Sequence, residues 1–172
     1  GYIKDDFPTE KGKTVSQIRS ENELFLAEII FSDVLNDLTP AELASVICAV
    51  TTEDMRAEMY SGLPLSQKVR KTLNKIKDVR RRVDKAQNEN NIDDAMYINS
   101  FYCALIEMWS NGAEWDDIID QVEMGEGDVV RCFKRVIDVL RQLTTIDNVP
   151  EAVVYTARDA IDSIQREPID LD

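Results

Sequence analysis

Val129, Val130, Phe133, Val136, Ile137, Leu140 and Leu143 recur at helical spacing and form one apolar stripe that demands a buried partner. Arg131, Arg135, Asp138 and Gln142 follow one another at intervals of four, three and four residues, a second stripe on the same helix. Gly125 and Gly127 punctuate its start, which predicts a helix over about 126–143. The residues alone leave two readings of the polar stripe open. In one it is a solvated face with Arg135 and Asp138 paired across a turn, worth only about 0.2–0.5 kcal/mol. In the other it is offered to a ligand.

Similar signals run through the rest of the chain. Ser20-Glu21-Asn22-Glu23 is a capping box that predicts a helix to about Asn36, with Leu24, Ala27, Phe31, Val34, Leu35 and Leu38 inward. Thr39-Pro40-Ala41-Glu42 is a second box with proline in the first turn, followed by inward Leu43, Val46, Ile47 and Val50. The short connection between these two helices predicts an antiparallel pair. Pro64 opens a long third helix to about Asn88. Asp93 caps a fourth, with Tyr97, Phe101, Ala104, Leu105, Met108 and Trp109, which Asn111-Gly112 ends. A short helix holds Trp115, Ile118, Ile119 and Val122, and a last one runs from about Glu151 to Arg166 with Val154, Ala157, Ile161 and Ile164 inward. Gly1-Tyr2-Ile3 and Thr14-Val15-Ser16-Gln17-Ile18 read as two short strands around a polar turn. The expected fold class is mostly α: a bundle of about six or seven helices with a short N-terminal β-hairpin.

Composition narrows the function classes. With 172 residues and 44% hydrophobic positions, the chain is long and apolar enough for one globular domain with a real core. Its net charge of −13 argues against indiscriminate nucleic-acid binding by the whole surface. The third helix runs against that trend. It carries nine bases against Asp78 and Asp84, a net +7, leaving −20 elsewhere. A solvated face, or a basic face docked on acidic neighbours in the bundle, is the commoner reading, because the bases lie on several sides and no aromatics interleave. Histidine is absent, which removes the commonest general base and a common zinc ligand. No nucleophile elbow or metal cluster organises the carboxylates, so no catalytic residue and no metal site is assigned. Cys48, Cys103 and Cys132 lie far apart without CxxC spacing and read as reduced core thiols of a cytosol-like compartment, with no disulfide partner. Nothing approaches the roughly 20 apolar residues of a membrane span, no signal peptide opens the chain, and Gly1 in place of a methionine suggests a fragment or processed product. Lys11-Gly12-Lys13-Thr14 looks like the end of a phosphate-binding loop, but Phe7 and then Pro8 stand where its leading glycine belongs, so no nucleotide is expected here.

Ser20-Glu21-Asn22-Glu23-Leu24, Asn36-Asp37-Leu38-Thr39-Pro40, Arg81-Arg82-Val83 and Glu126-Gly127-Asp128-Val129-Val130-Arg131, in that order, resemble the C-terminal helical-bundle (DSHCT) domain of superkiller and HelY-like DExH RNA helicases. The likeness covers roughly residues 12–166. The spacing of Trp109, Gly112, Trp115 and the Glu126–Arg131 run, with Ala160-Ile161-Asp162, is similar to the bacterial and chloroplast branch. The resemblance implies that residues 1–19 end a preceding winged-helix region and that 20–172 form the bundle. It implies a non-catalytic domain that closes a channel for single-stranded RNA over two RecA-like motor domains of the same polypeptide. ATP and magnesium would then belong to those motor domains, with no cofactor in this chain. The helix at 126–143 matches the family's ratchet helix, Arg135 its RNA-contacting arginine, and Arg131 the same stripe. Asp138 stands where the family usually has glutamate, one methylene longer. Glu53 matches an acidic residue near the RNA path. The implied setting is a bacterial cytoplasm, or alternatively a chloroplast stroma. An alternative class is a helix-turn-helix DNA-binding or adaptor domain, built on the short helix, the glycine turn and the helix after it.

Overall fold

In chain order the elements are strands β1 (Ile3–Lys4) and β2 (Phe7–Pro8) and helices α1 (Glu10–Gln17), α2 (Glu23–Phe31), α3 (Pro40–Thr51), α4 (Gln67–Gln87), α5 (Ser100–Ser110), α6 (Trp115–Ile119), α7 (Glu126–Leu143) and α8 (Glu151–Ile164). They come from a computed structural model that describes residues 1–19, 23–52, 63–87, 100–123 and 125–169. The expected class holds: helices dominate, and a two-stranded antiparallel hairpin opens the chain.

That hairpin closes earlier than expected. Ile3 faces Pro8 and Lys4 faces Phe7 across the ladder, and Asp5 and Asp6, at φ 51° and 65°, make the two-residue turn. Thr9 then caps α1, its hydroxyl accepting from the Gly12 N–H at 3.2 Å. The segment from Thr14 to Gln17 is therefore helical rather than a second strand. The Lys11-Gly12-Lys13-Thr14 run sits on this helix. Lys11 Nζ donates to both Glu28 carboxylate oxygens at 3.1 Å and lies 5.4 Å from the centre of the Phe31 ring. Gly12 is needed for close approach: a Cβ there would stand 2.2 Å from the Tyr2 carbonyl oxygen.

The helix α2 stops at Phe31, short of the expected Asn36, because Asp33 and Asp37 both take φ 59°. Its inner face also differs. Phe25, Leu26, Ala27, Ile29 and Ile30 are buried, whereas Leu24 and Phe31 are half-buried. Ser20 lies outside the described residues, so its capping role is not seen. The box at Thr39 is seen in full, with Glu42 N–H to Thr39 Oγ1 at 3.3 Å and Thr39 N–H to Glu42 Oε2 at 2.9 Å.

Every residue of α3 from Leu43 to Val50 is buried, including Ser45, so this helix runs through the middle of the bundle. It packs mainly on α5, α7 and α8, with α4 on another side. The α2 helix lies instead against α1 and α4, so the expected antiparallel α2–α3 pair is not the packing unit. Small residues let α3 approach its neighbours: Ala44, Ser45, Cys48 and Ala49 are all fully buried, and Ser45 Oγ donates to the Cys103 carbonyl at 2.9 Å. The Cys48 and Cys132 sulfurs are 3.7 Å apart, and all three thiols are free and buried. Burial pushes the Cys48 thiol well up, and the neighbouring Cys48 sulfur, with burial, does the same to Cys132.

The start of α4 is set by Ser66, whose hydroxyl accepts from the Val69 N–H at 3.3 Å, rather than by Pro64. Val69, Leu73, Ile76, Val79 and Val83 form its buried side. The cap expected at Asp93, and Tyr97, lie outside the described residues. Asn111-Gly112 ends α5 as expected: Gly112 has φ 100°, and the Ala113 and Gly112 N–H groups return to the Met108 and Trp109 carbonyls at 3.1 and 3.0 Å. In α8 the inward set is Val153, Ala157, Ala160 and Ile164; Val154 and Ile161, expected inside, are half-buried.

Two outcomes follow from the N-terminal packing. Gly12→Ala drives a methyl group into the Tyr2 carbonyl, and denaturant titration is expected to show a loss of about 1–3 kcal/mol, with the earliest amide-exchange losses in residues 1–17. Glu28 is the second case. Burial alone would raise its pKa, but the Tyr2 hydroxyl at 2.6 Å and the Lys11 ammonium hold it below the usual carboxylate value. A depressed native pKa stabilises above the unfolded value of 4.5 and is lost as pH falls through the native one. Glu28→Gln should therefore lower stability at neutral pH and flatten the acid limb of the stability–pH curve, as measured by thermal unfolding from pH 7 down.

Candidate nucleic-acid interface

The strongest amphipathic pattern in the chain becomes α7, whose bounds, Glu126–Leu143, match the sequence reading. Val129, Phe133, Val136, Ile137, Leu140 and Leu143 are buried as expected, joined by Cys132 and Val139, while Val130 is half-buried. They dock on α3 and α8, with α5 beside them.

Both ends of α7 are tied. Gly125 caps it at φ 87°, where a Cβ would meet the Asp128 carboxylate at 2.6 Å. Trp115 Nε1 donates to Glu126 at 2.8 Å, and the Trp115 ring stands edge-on to Trp109 and Phe133, with centroids 5.3 and 6.4 Å away. Trp109 is locked in turn. Its Nε1 donates to the Ile164 carbonyl at 2.8 Å, and the Arg166 guanidinium lies 3.4 Å from its ring centre while donating to the Trp109 and Ala113 carbonyls at 2.5 and 2.8 Å. At the far end Gln142 bonds the Arg19 backbone twice: Arg19 N–H to Oε1 at 2.8 Å and Nε2 to the Arg19 carbonyl at 3.2 Å. Just beyond, Gln17 and Asp147 form a similar pair, with two bonds of 2.8 Å. Sequence periodicity carries no mark of the ties made by Gln142, Gln17, Trp109 and Arg166, because each joins a side chain to a segment more than fifty residues away.

This anchoring leaves Arg131, Arg135 and Asp138 exposed on one outward face. Gln142, read as part of the same stripe, is half-buried and serves the Arg19 contact. Arg131 pairs with Asp128, and Asp138 reaches Arg141 at 3.7 Å. Both are exposed pairs within one turn, so they orient side chains more than they stabilise the fold. Glu53 lies outside the described residues. Glu126 and Asp128 in the first turn and Arg141 in the last complement the helix dipole. The face offers guanidinium and ammonium groups on a fixed backbone, with a net charge of only +1 on the helix. Such a face can hold phosphates and stack on bases, but it contains no nucleophile. Among the described residues no group of His, Cys, Asp and Glu is placed to hold a metal, and no helix is long and apolar enough to cross a membrane.

Comparison with known proteins agrees with this architecture. The chain is 28% identical over 162 residues to a chloroplastic DExH-box ATP-dependent RNA helicase, DExH15, of Arabidopsis thaliana, an alignment covering 92% of this chain and 14% of that protein. It is 30% identical over 145 residues to the ATP-dependent RNA helicase mtr4 of Schizosaccharomyces pombe, covering 81% and 13%. It is 31% identical over 154 residues to DExH9 of Arabidopsis thaliana, covering 83% and 15%. The chain thus spans about one-seventh of the length of these relatives. The model of the DSHCT (NUC185) domain matches residues 5–172, and the chain belongs to that domain family, which it shares with DExH-box RNA helicases.

Proposed function

We propose that this chain is the RNA-guiding bundle of an ATP-dependent DExH RNA helicase, and that single-stranded RNA passes along the exposed face of α7. The observation that carries the reading is the pairing of a helix tied at both ends with an outward Arg131–Arg135–Asp138 face. Rigid placement fixes the angle at which Arg135 projects. A guanidinium stacks on any base and donates to phosphate or base edges, so it grips RNA without demanding a sequence. Asp138, one turn on, limits that grip by placing an anion beside the path, which suits a strand that must be released at each step. Glu53 is proposed as a further acidic contact near the path. ATP and magnesium act in the RecA-like motor domains of the same polypeptide, and this chain contributes no catalytic residue. The bacterial cytoplasm and the chloroplast stroma are both compatible with this role. The helix-turn-helix reading has less support, because α6 is only five residues long and α7 is not a basic helix.

Arg135→Ala tests the proposal in a full-length helicase carrying this domain. The isolated domain should keep its stability within about 0.5 kcal/mol, as at other exposed polar positions. Strand displacement should slow several-fold while RNA-stimulated ATP turnover is largely retained. An unchanged displacement rate, or an unfolded domain, would remove Arg135 from the RNA path.

A further inference from the structure

The outward half of α4 has no role in the reading above. Its buried side, Val69, Leu73, Ile76, Val79 and Val83, faces α2 and α3, so the bases expected on several sides occupy one outward arc and its flanks. Two of the nine are paired along α4 itself, and a third, still exposed, has an acid nearby. Arg80 pairs with Asp84 at 2.9 Å and lies 5.1 Å from the Phe25 ring centre, Arg81 pairs with Asp78 at 3.1 Å, and Arg82 lies in the field of Glu28. Lys68, Arg70, Lys71, Lys75 and Lys85 are exposed and Lys77 is half-buried, all without an anionic partner among the described residues. Among the described residues, then, no acidic neighbour neutralises these six cations.

We infer that this face is a second nucleic-acid surface, separate from α7, that takes the phosphate backbone of duplex or folded RNA. Three properties select that ligand. Lys68, Lys71, Lys75 and Arg82 fall on one line along the helix, and Lys68 and Arg82 are about 21 Å apart at the usual helical rise, enough to follow several phosphates. The exposed positions of α4 hold no apolar side chain larger than Ala86, so the face lacks the buried anchor on which a protein partner would depend. They also hold no aromatic ring, so nothing there stacks the unpaired bases of a single strand. What remains is a row of point charges suited to phosphates held at fixed spacing. Helix α4 packs on α2 and α3 while α7 packs on α3, α5 and α8, so the two faces belong to different parts of the bundle. A helicase reading gives the second face a use, holding paired RNA near a single-stranded channel, but the binding itself does not depend on that reading.

Fluorescence anisotropy of the 172-residue chain tests it, using a labelled blunt RNA duplex of about 16 base pairs, a length that a double-stranded RNA-binding module spans. A single strand of the same length and poly-glutamate serve as comparisons. Binding is expected to favour the duplex at about 50 mM salt and to fall steeply by about 200 mM. Lys71→Glu/Lys75→Glu should weaken it at least tenfold and flatten the log–log salt dependence by roughly one unit for each phosphate no longer neutralised. Lys71→Gln/Lys75→Gln is measured alongside and carries the test if the glutamates disturb the circular dichroism spectrum. Arg135→Ala should leave duplex binding unchanged, which separates this face from α7. Unaltered binding in both double variants, absence of duplex binding by the unmodified chain, or equal binding to poly-glutamate would overturn the inference, the last in favour of an acidic protein partner.

Discussion

The constraint on which the rest depends is the burial of α3 on all sides. A helix in the middle of a bundle cannot keep a polar face, and from Leu43 to Val50 α3 has only Ser45 to satisfy, which the Cys103 carbonyl does. Its orphan N-terminal amides are met by the Thr39–Glu42 box, and the Thr52 hydroxyl returns to the Cys48 carbonyl at 2.6 Å. With α3 enclosed, each surrounding helix has an inner side committed to the core and an outer side left to water. The charged faces of α7 and α4 are therefore outward by necessity. Small residues at Ala44, Ser45, Cys48 and Ala49 bring those helices close, which is also why the Cys48 and Cys132 sulfurs come within 3.7 Å of each other. Their raised pKa values keep them as thiols, so they behave as small core groups rather than as a reactive pair.

How well each element can be read from the sequence follows how explicit its chemical signals are. The helix α7 is legible to the residue because glycine marks its start and its apolar period is strong. The Thr39 box and the Asn111-Gly112 stop are legible because each is a local backbone solution written in a few residues. In α2 the run from Leu24 to Phe31 is apolar at all but one position, so there is no period to phase it. Its end is hidden because Asp33 takes a left-handed conformation that no glycine announces. In α8 the adjacent pairs Val153-Val154 and Ala160-Ile161 permit either phase, and packing selects Val153 and the small Ala160 for the inner side. The alternation from Thr14 to Ile18 imitates a strand, but the Thr9 cap upstream commits those residues to a helix.

The candidate site divides along the same line. That Arg131, Arg135 and Asp138 share a face is a consequence of spacing, and their exposure follows once the other side is buried. What spacing does not carry is the fixation of the helix. Gln142 is by spacing a fourth member of the stripe, yet its amide closes two bonds on Arg19 and joins the end of α7 to the segment between α1 and α2. Arg166, expected only as the end of the last helix, lies just past it and caps the Trp109 ring that supports Trp115 and, through it, Glu126. Burial lowers its pKa, the cost of placing a guanidinium there, while two carbonyls and an aromatic face offset that cost.

Charge then separates what the two outer faces can do. With nine bases on α4 and a strongly acidic remainder, the molecule's field near α4 is positive while most of its surface repels polyanions. Helix α7, nearly neutral, exerts no comparable attraction over distance. A face of alternating guanidinium and carboxylate with little net charge gives short-range contact without a deep electrostatic well, which suits the sliding contact proposed for it. The α4 face has the opposite character, attraction over about a Debye length with little geometric discrimination. The enclosed α3 has no room for charge, so the charges of the bundle fall on its outer helices, and a strongly basic face and a nearly neutral one come to stand on different helices.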